Sequence, residues 1–234
     1  MRTQQPNAVR VLAALTFVVA FIACGQTEAT ADHMEKHFDE VEAVKTAIIA
    51  GDIEAARQPA QWLATHEPPA DLPGDWEPFV TQMQAAATDA SEAGDVSAAA
   101  AAIGQMALSC AACHSALGQG TQFAFMPQPD GAGVTGHMAR HSWALDRMWR
   151  GLIGPSVDSW MEGVGGLAES PLQGGTDDTR TLGLRVHELG AQGAEAADPA
   201  ARAAIYGELL TTCAGCHTAA GQGPPATRPT AGDH

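Results

Sequence analysis

One pattern is written twice in this chain, and that repetition limits its folds more than any other feature. His33-Met34-Glu35-Lys36-His37 returns as His137-Met138-Ala139-Arg140-His141, 104 residues later. Cys110-Ala111-Ala112-Cys113-His114 returns as Cys213-Ala214-Gly215-Cys216-His217, 103 residues later. The same Gly-Gln-Gly tripeptide follows both pentads, at Gly118 to Gly120 and at Gly221 to Gly223. Self-similarity at a fixed period marks two copies of one structural unit. Each copy opens on His-Met-x-x-His and closes on Cys-x-x-Cys-His. Pro127, Pro129 and Gly131 mark residues 121–133 as a linker between a first unit, 32–120, and a second, 134–223. Residues 224–234 are expected to be a disordered tail.

Within each copy the periodicity is helical. Alanine is abundant, tyrosine nearly absent, and no alternating strand pattern persists. The first helix is expected over Asp32 to Ala50. Met34, His37, Phe38, Val41, Val44 and Ile48 share one face, and Glu35, Lys36, Asp39, Glu40, Glu42 and Lys45 the other. Gly51 should end it and Asp52 should cap the next, which runs to about His66. A third helix is expected from near Asp75 to near Gly94, and a fourth from the Asp95 cap to the pentad. The second copy reads as helices over Gly136–Ile153, Ser156–Glu169, Asp177–Glu195 and Asp198–Ala219. The fold class is therefore all-α, as two tandem antiparallel four-helix bundles with short connections. In such a bundle the first helix starts where the fourth ends, so both motifs meet at one end.

The pentads carry the chemistry. Cys-x-x-Cys-His is the attachment signature of c-type haem: Cys110 with Cys113, and Cys213 with Cys216, can form thioethers to the vinyl groups. The adjacent His114 and His217 are then presented to iron as proximal ligands. A redox dithiol or a four-cysteine zinc centre would also use Cys-x-x-Cys pairs, but neither needs a histidine directly afterwards. Two covalently bound haem c groups are the expected cofactors.

Pentads at the ends of the bundles resemble the class II c-type cytochromes, the cytochrome c-prime group. The likeness spans about Asp32 to Gly223 and rests on topology and two short motifs. It implies a four-helix bundle with the haem on its last helix and a distal face formed early in the first. It also implies His114 and His217 as proximal ligands. Met34 and Met138 match the methionine that some members place opposite the proximal side. His37 and His141 lie one turn later on the same face, and His33 and His137 one turn before those histidines. His37 and His141 are the favoured distal ligands, with Met34 and Met138 the alternative. An open sixth position would instead admit nitric oxide or carbon monoxide, as in the open-site members. Trp62, Trp76, Trp143, Trp149 and Trp160 are expected in cores or along haem edges. His66 and His187 have no counterpart in the other copy and read as surface or core residues. Met126 follows only the first pentad and is set aside.

The N-terminus reads as an export signal. Arg2 and Arg10 precede an apolar run, Val11 to Ala23, that is short for a membrane span. Phe21-Ile22-Ala23-Cys24-Gly25 resembles a lipobox, so residues 1–23 are expected to be a lipoprotein signal, Cys24 the lipidated residue and 24–31 a tether. Cleavage after Ala31 is the alternative. Either route leads to the periplasm, with the membrane met only through the lipid anchor; no later segment reads as a span. Losing Arg2 and Arg10 with the leader takes the formal charge from −15 to −17. Such acidity disfavours nucleic acid and suits a basic redox protein as partner. The expected function is one-electron transfer without catalysis. The alternatives are gas binding and, at lower weight, a haem peroxidase.

Overall fold

The computed structural model describes residues 31–69, 72–116, 118, 123, 125–168 and 175–223. These form eight α-helices and no strand among the described residues: α1 (residues 31–49), α2 (Ile53–Thr65), α3 (Glu77–Glu92), α4 (Val96–Ala116), α5 (Gly133–Ile153), α6 (Val157–Gly166), α7 (Asp177–Glu195) and α8 (Pro199–Ala219). The all-α expectation is met. The signal, Cys24 and the 224–234 tail lie outside the described residues.

The boundaries follow local chemistry. Side chains of Asp52, Asp95, Ser156, Thr176 and Asp198 accept the amides of Ala55, Ala98, Ser159, Thr179 and Ala201, at 2.8 to 3.2 Å. Each satisfies a first-turn N–H that has no partner within its helix. At the end of α1, Gly51 takes φ 75°, Gly51 N–H donates to Ile48 and Asp52 N–H to Ala47. This is the paired closure that a left-handed residue after a helix permits. The same closure ends α8: Gly221 has φ 74°, its N–H reaches Thr218 and Gln222 N–H reaches His217. Gly118 repeats the start of it, with φ 61° and a bond to Ser115. The glycine that follows each pentad is therefore a helix stop. α6 ends earlier than expected because Gly163, Gly165 and Gly166 lower its helical propensity.

Neighbouring helices pack in chain order, α2 on α3, α3 on α4, α5 on α6, α6 on α7 and α7 on α8, and α4 packs on α8 across the copies. One continuous core results, drawn from all eight helices. The α4–α8 crossing is antiparallel and nearly self-equivalent. A Cβ on Gly104 would lie 2.5 Å from the Ala203 carbonyl oxygen, and one on Gly207 would lie 2.9 Å from that of Ala100. Both glycines, and both carbonyls, are related by the repeat offset of 103. Only a missing side chain lets the backbones approach this far.

Two expectations need correction. Lys45 was assigned to the solvent face of α1 but is buried at 4 % exposure, paired with Glu42, its ammonium 4.7 Å from the Trp149 ring centre. The cause is α5, which covers a second face of α1. The described residues before α5 pack on the helices: Phe123 on Phe38, Trp143 donating to the Met126 carbonyl at 2.9 Å and Arg140 to that of Gly131 at 2.7 Å, and α5 begins at Gly133. Finally, α4 is long and apolar enough to cross a membrane by length and composition, with mean hydropathy 1.6. Its apolar surface instead helps build the core between α3 and α8.

Candidate functional site

In the second copy the structure gathers the residues that the repeat singled out. A cavity of about 730 Å³ is lined by Cys213, Cys216 and His217 from α8 and by His137, Met138 and His141 from α5. Its size falls within the range of ordinary cofactor sites. The antiparallel run of α5 against α8 brings the opening motif of one helix to the closing motif of the other. His187 of α7 and Tyr206 of α8 also line it, as do Glu42, Lys45, Thr46 and Ile49 from α1 of the first copy. His187 has no counterpart in the first copy, and only the packing of α7 against α8 brings it here; no periodicity within one copy places α1 at this site.

The first copy's closing motif is likewise tied to the other copy. His114 Nδ1 lies 2.7 Å from the Ile153 carbonyl oxygen at the end of α5. A carbonyl only accepts, so Nδ1 carries the proton and Nε2 keeps its lone pair. One turn earlier, the Arg150 guanidinium sits over the rings of Phe38 and Phe123, 5.9 and 5.0 Å from their centres. The last turn of α5 thus joins the end of α4 to the start of α1, where His37 precedes Phe38.

Both cysteine pairs share one electrostatic character. Burial pushes the Cys110 and Cys213 thiols up to about 12, with Cys113 and Cys216 adding to the effect, and burial raises Cys113 and Cys216 as well. All four are free cysteines. An activated dithiol needs a lowered thiol pKa, so these environments argue against disulfide exchange.

The opening motifs differ. In the second copy His137 is buried and its ring lies 4.1 Å from that of His141. In the first, His33 and His37 lie 4.2 Å apart and are joined by His66, whose ring is 5.0 Å from His33, 5.5 Å from His37 and stacked on Trp62 at 3.9 Å. Burial, then the neighbouring imidazoles, lowers His37 to about 4; burial, His66 and Lys36 lower His33. Met34 is 40 % exposed. His66 was set aside because the second copy lacks it. Hairpin geometry could have found it, because the end of α2 must lie beside the start of α1.

Between the sites lies a polar knot. Asp146 and Arg150 pair on α5 at 2.7 Å, close to the pair that buried Lys45 makes with partly exposed Glu42. Tyr206 packs on Trp149 at 5.6 Å, and its hydroxyl pKa is pushed well up by burial and then by the charges of Glu42 and Asp146.

Compared with known proteins, the chain matches no protein-family model, no curated protein and no solved structure.

Proposed function

We propose that the chain is an exported dihaem c-type cytochrome that carries single electrons, built as two class II-like four-helix bundles joined through α4 and α8. The observation that carries this reading is the His114–Ile153 hydrogen bond. It holds the imidazole in the tautomer whose Nε2 is a metal ligand, as carbonyls behind ligating histidines do. Cys110 and Cys113, one turn apart on α4, stand just before that imidazole, and neither is tied up in a disulfide. The second set is Cys213, Cys216 and His217, with a cavity beside it large enough for a flat cofactor. Haem held there supplies a one-electron ferric–ferrous couple.

The rest is done by the chain. The four cysteines would fix the position of haem, and His114 and His217 would each supply a nitrogen ligand. His37 and His141 are the distal ligands we favour, with Met34 and Met138 the alternative. Met138 and His141 both line the second cavity, whereas the exposure of Met34 favours His37 in the first copy. Export, lipidation at Cys24 and docking to a basic redox protein complete the proposal, the last supported by the formal charge of −15.

Visible spectra of the reduced protein with and without carbon monoxide test it. Unchanged spectra support an electron carrier with both irons six-coordinate; a large change supports the open-site, gas-binding reading. Added peroxide with a reductant tests peroxidase activity. His37→Ala and His141→Ala should each alter one haem's spectrum. If both look native while Met34→Ala and Met138→Ala do not, methionine is the ligand.

A further inference from the structure

The first copy holds a cluster that its repeat lacks. His33 and His37 are spaced i and i+4 on α1, which puts both imidazoles on one face. His66, capping the end of α2, closes the third side. One ligating nitrogen from each residue lies within 4.8 Å of the other two, and this is the one such group of three among the described residues. Nε2 of His37 is enclosed and has no hydrogen-bond partner. A tetrahedral ion bound at 2.0–2.1 Å needs its nitrogens about 3.3 Å apart, a closure of up to about 1.5 Å that rotation of three half-buried rings can supply.

We infer that His33, His37 and His66 form a site for a divalent transition-metal ion of the zinc or copper(II) class, present in the first copy alone, and that this ion competes with the first haem iron for His37. Three neutral imidazoles suit borderline ions and offer little to calcium or magnesium, which take oxygen. A three-histidine set leaves a fourth position for water or a small ligand. All three residues are partly exposed, which gives the ion a way in, and the acidic chain draws cations toward it. The second copy repeats the histidine pair as His137 and His141, but position 66 maps to Glu169 or Ser170, neither of them an imidazole.

The competition clause rests on the haem reading; the site does not. Because two metals cannot share one nitrogen, each weakens the other's hold on His37 by the same factor. Zinc would therefore act as a switch on the first haem and leave the second unchanged.

The test is zinc titration of the full haem-loaded chain by calorimetry, with visible spectra recorded alongside. One zinc per chain is expected at micromolar concentration. Affinity should fall at least tenfold in His66→Ala and in His33→Ala and stay unchanged in His187→Ala, with circular dichroism confirming that each variant is folded. Saturating zinc should shift the spectrum of one haem in the wild type and of neither in His66→Ala. No binding, or binding that both His66→Ala and His33→Ala leave undiminished, overturns the site. Zinc bound through His66 with both haem spectra unchanged overturns the competition and keeps the site. Failure of the haem reading would show separately, as missing covalent haem before any zinc is added.

Discussion

The two copies keep the same ends and fill them differently. Both finish the pentad helix with a glycine at positive φ, Gly118 and Gly221, and both set two partly buried cysteines one turn apart. In between, Lys45 stands where the second copy has Trp149, and Ile103 where it has Tyr206. Trp149 packs on Tyr206 and covers the buried ammonium of Lys45, so the charged and the aromatic residue at one repeat position meet in the same interior. The glycine stops and the proposed attachment motifs recur in both halves. Side chains that only need to fill a shared core are free to diverge, as packing rules allow.

The sharpest way to break this comparison is to disarm one copy at a time. Cys110→Ser with Cys113→Ser, and separately Cys213→Ser with Cys216→Ser, should each lower covalent haem from two to one per chain, measured as the pyridine haemochrome. Retention of two in either variant would refute attachment at that pentad. Next comes the crossing of α4 and α8. Gly104→Ala should cost about 2 kcal/mol in denaturant unfolding and Gly207→Ala about 1, because each new methyl meets backbone that cannot yield locally. Equal and negligible losses would show that the helices separate easily. A smaller effect is expected where the copies differ most. Lys45→Met keeps the stem over Trp149, removes a buried charge and leaves the partly exposed Glu42 to solvent; stability should hold or rise by about 1 kcal/mol. A loss above about 2 kcal/mol would show that the ammonium anchors the interior knot. Last, Gly165→Ala fills open space on exposed α6 and should add about 0.5 to 1 kcal/mol, read from the same unfolding curves.

Much of the fold was legible because it rests on local rules. The Asp52, Asp95 and Asp198 caps, the Gly51 stop and the three- and four-residue spacing of Val41, Val44 and Ile48 are short-range signals, and the helices lie close to where they point. Long-range packing was not legible. The burial of Lys45, the hold of Ile153 on His114 and the entry of α1 into the second cavity all come from one copy meeting the other. No periodicity inside a single copy records that meeting. The candidate site was half legible for the same reason. The repeated motifs mark Cys110, Cys113, His114 and their counterparts, while His66 and His187 have no counterpart in the other copy and so no repeat marks them. The residues unique to one copy were where the two sites differ.

The glycine crossing has one more consequence. Gly104 against Ala203, with Gly207 against Ala100, is the reciprocal contact that a two-fold axis generates between identical subunits. Joined in one polypeptide, that contact no longer depends on how dilute the protein becomes. A tethered partner is present at an effective concentration on the order of millimolar. The fused pair therefore stays assembled at dilutions where separate halves bound through this crossing would drift apart.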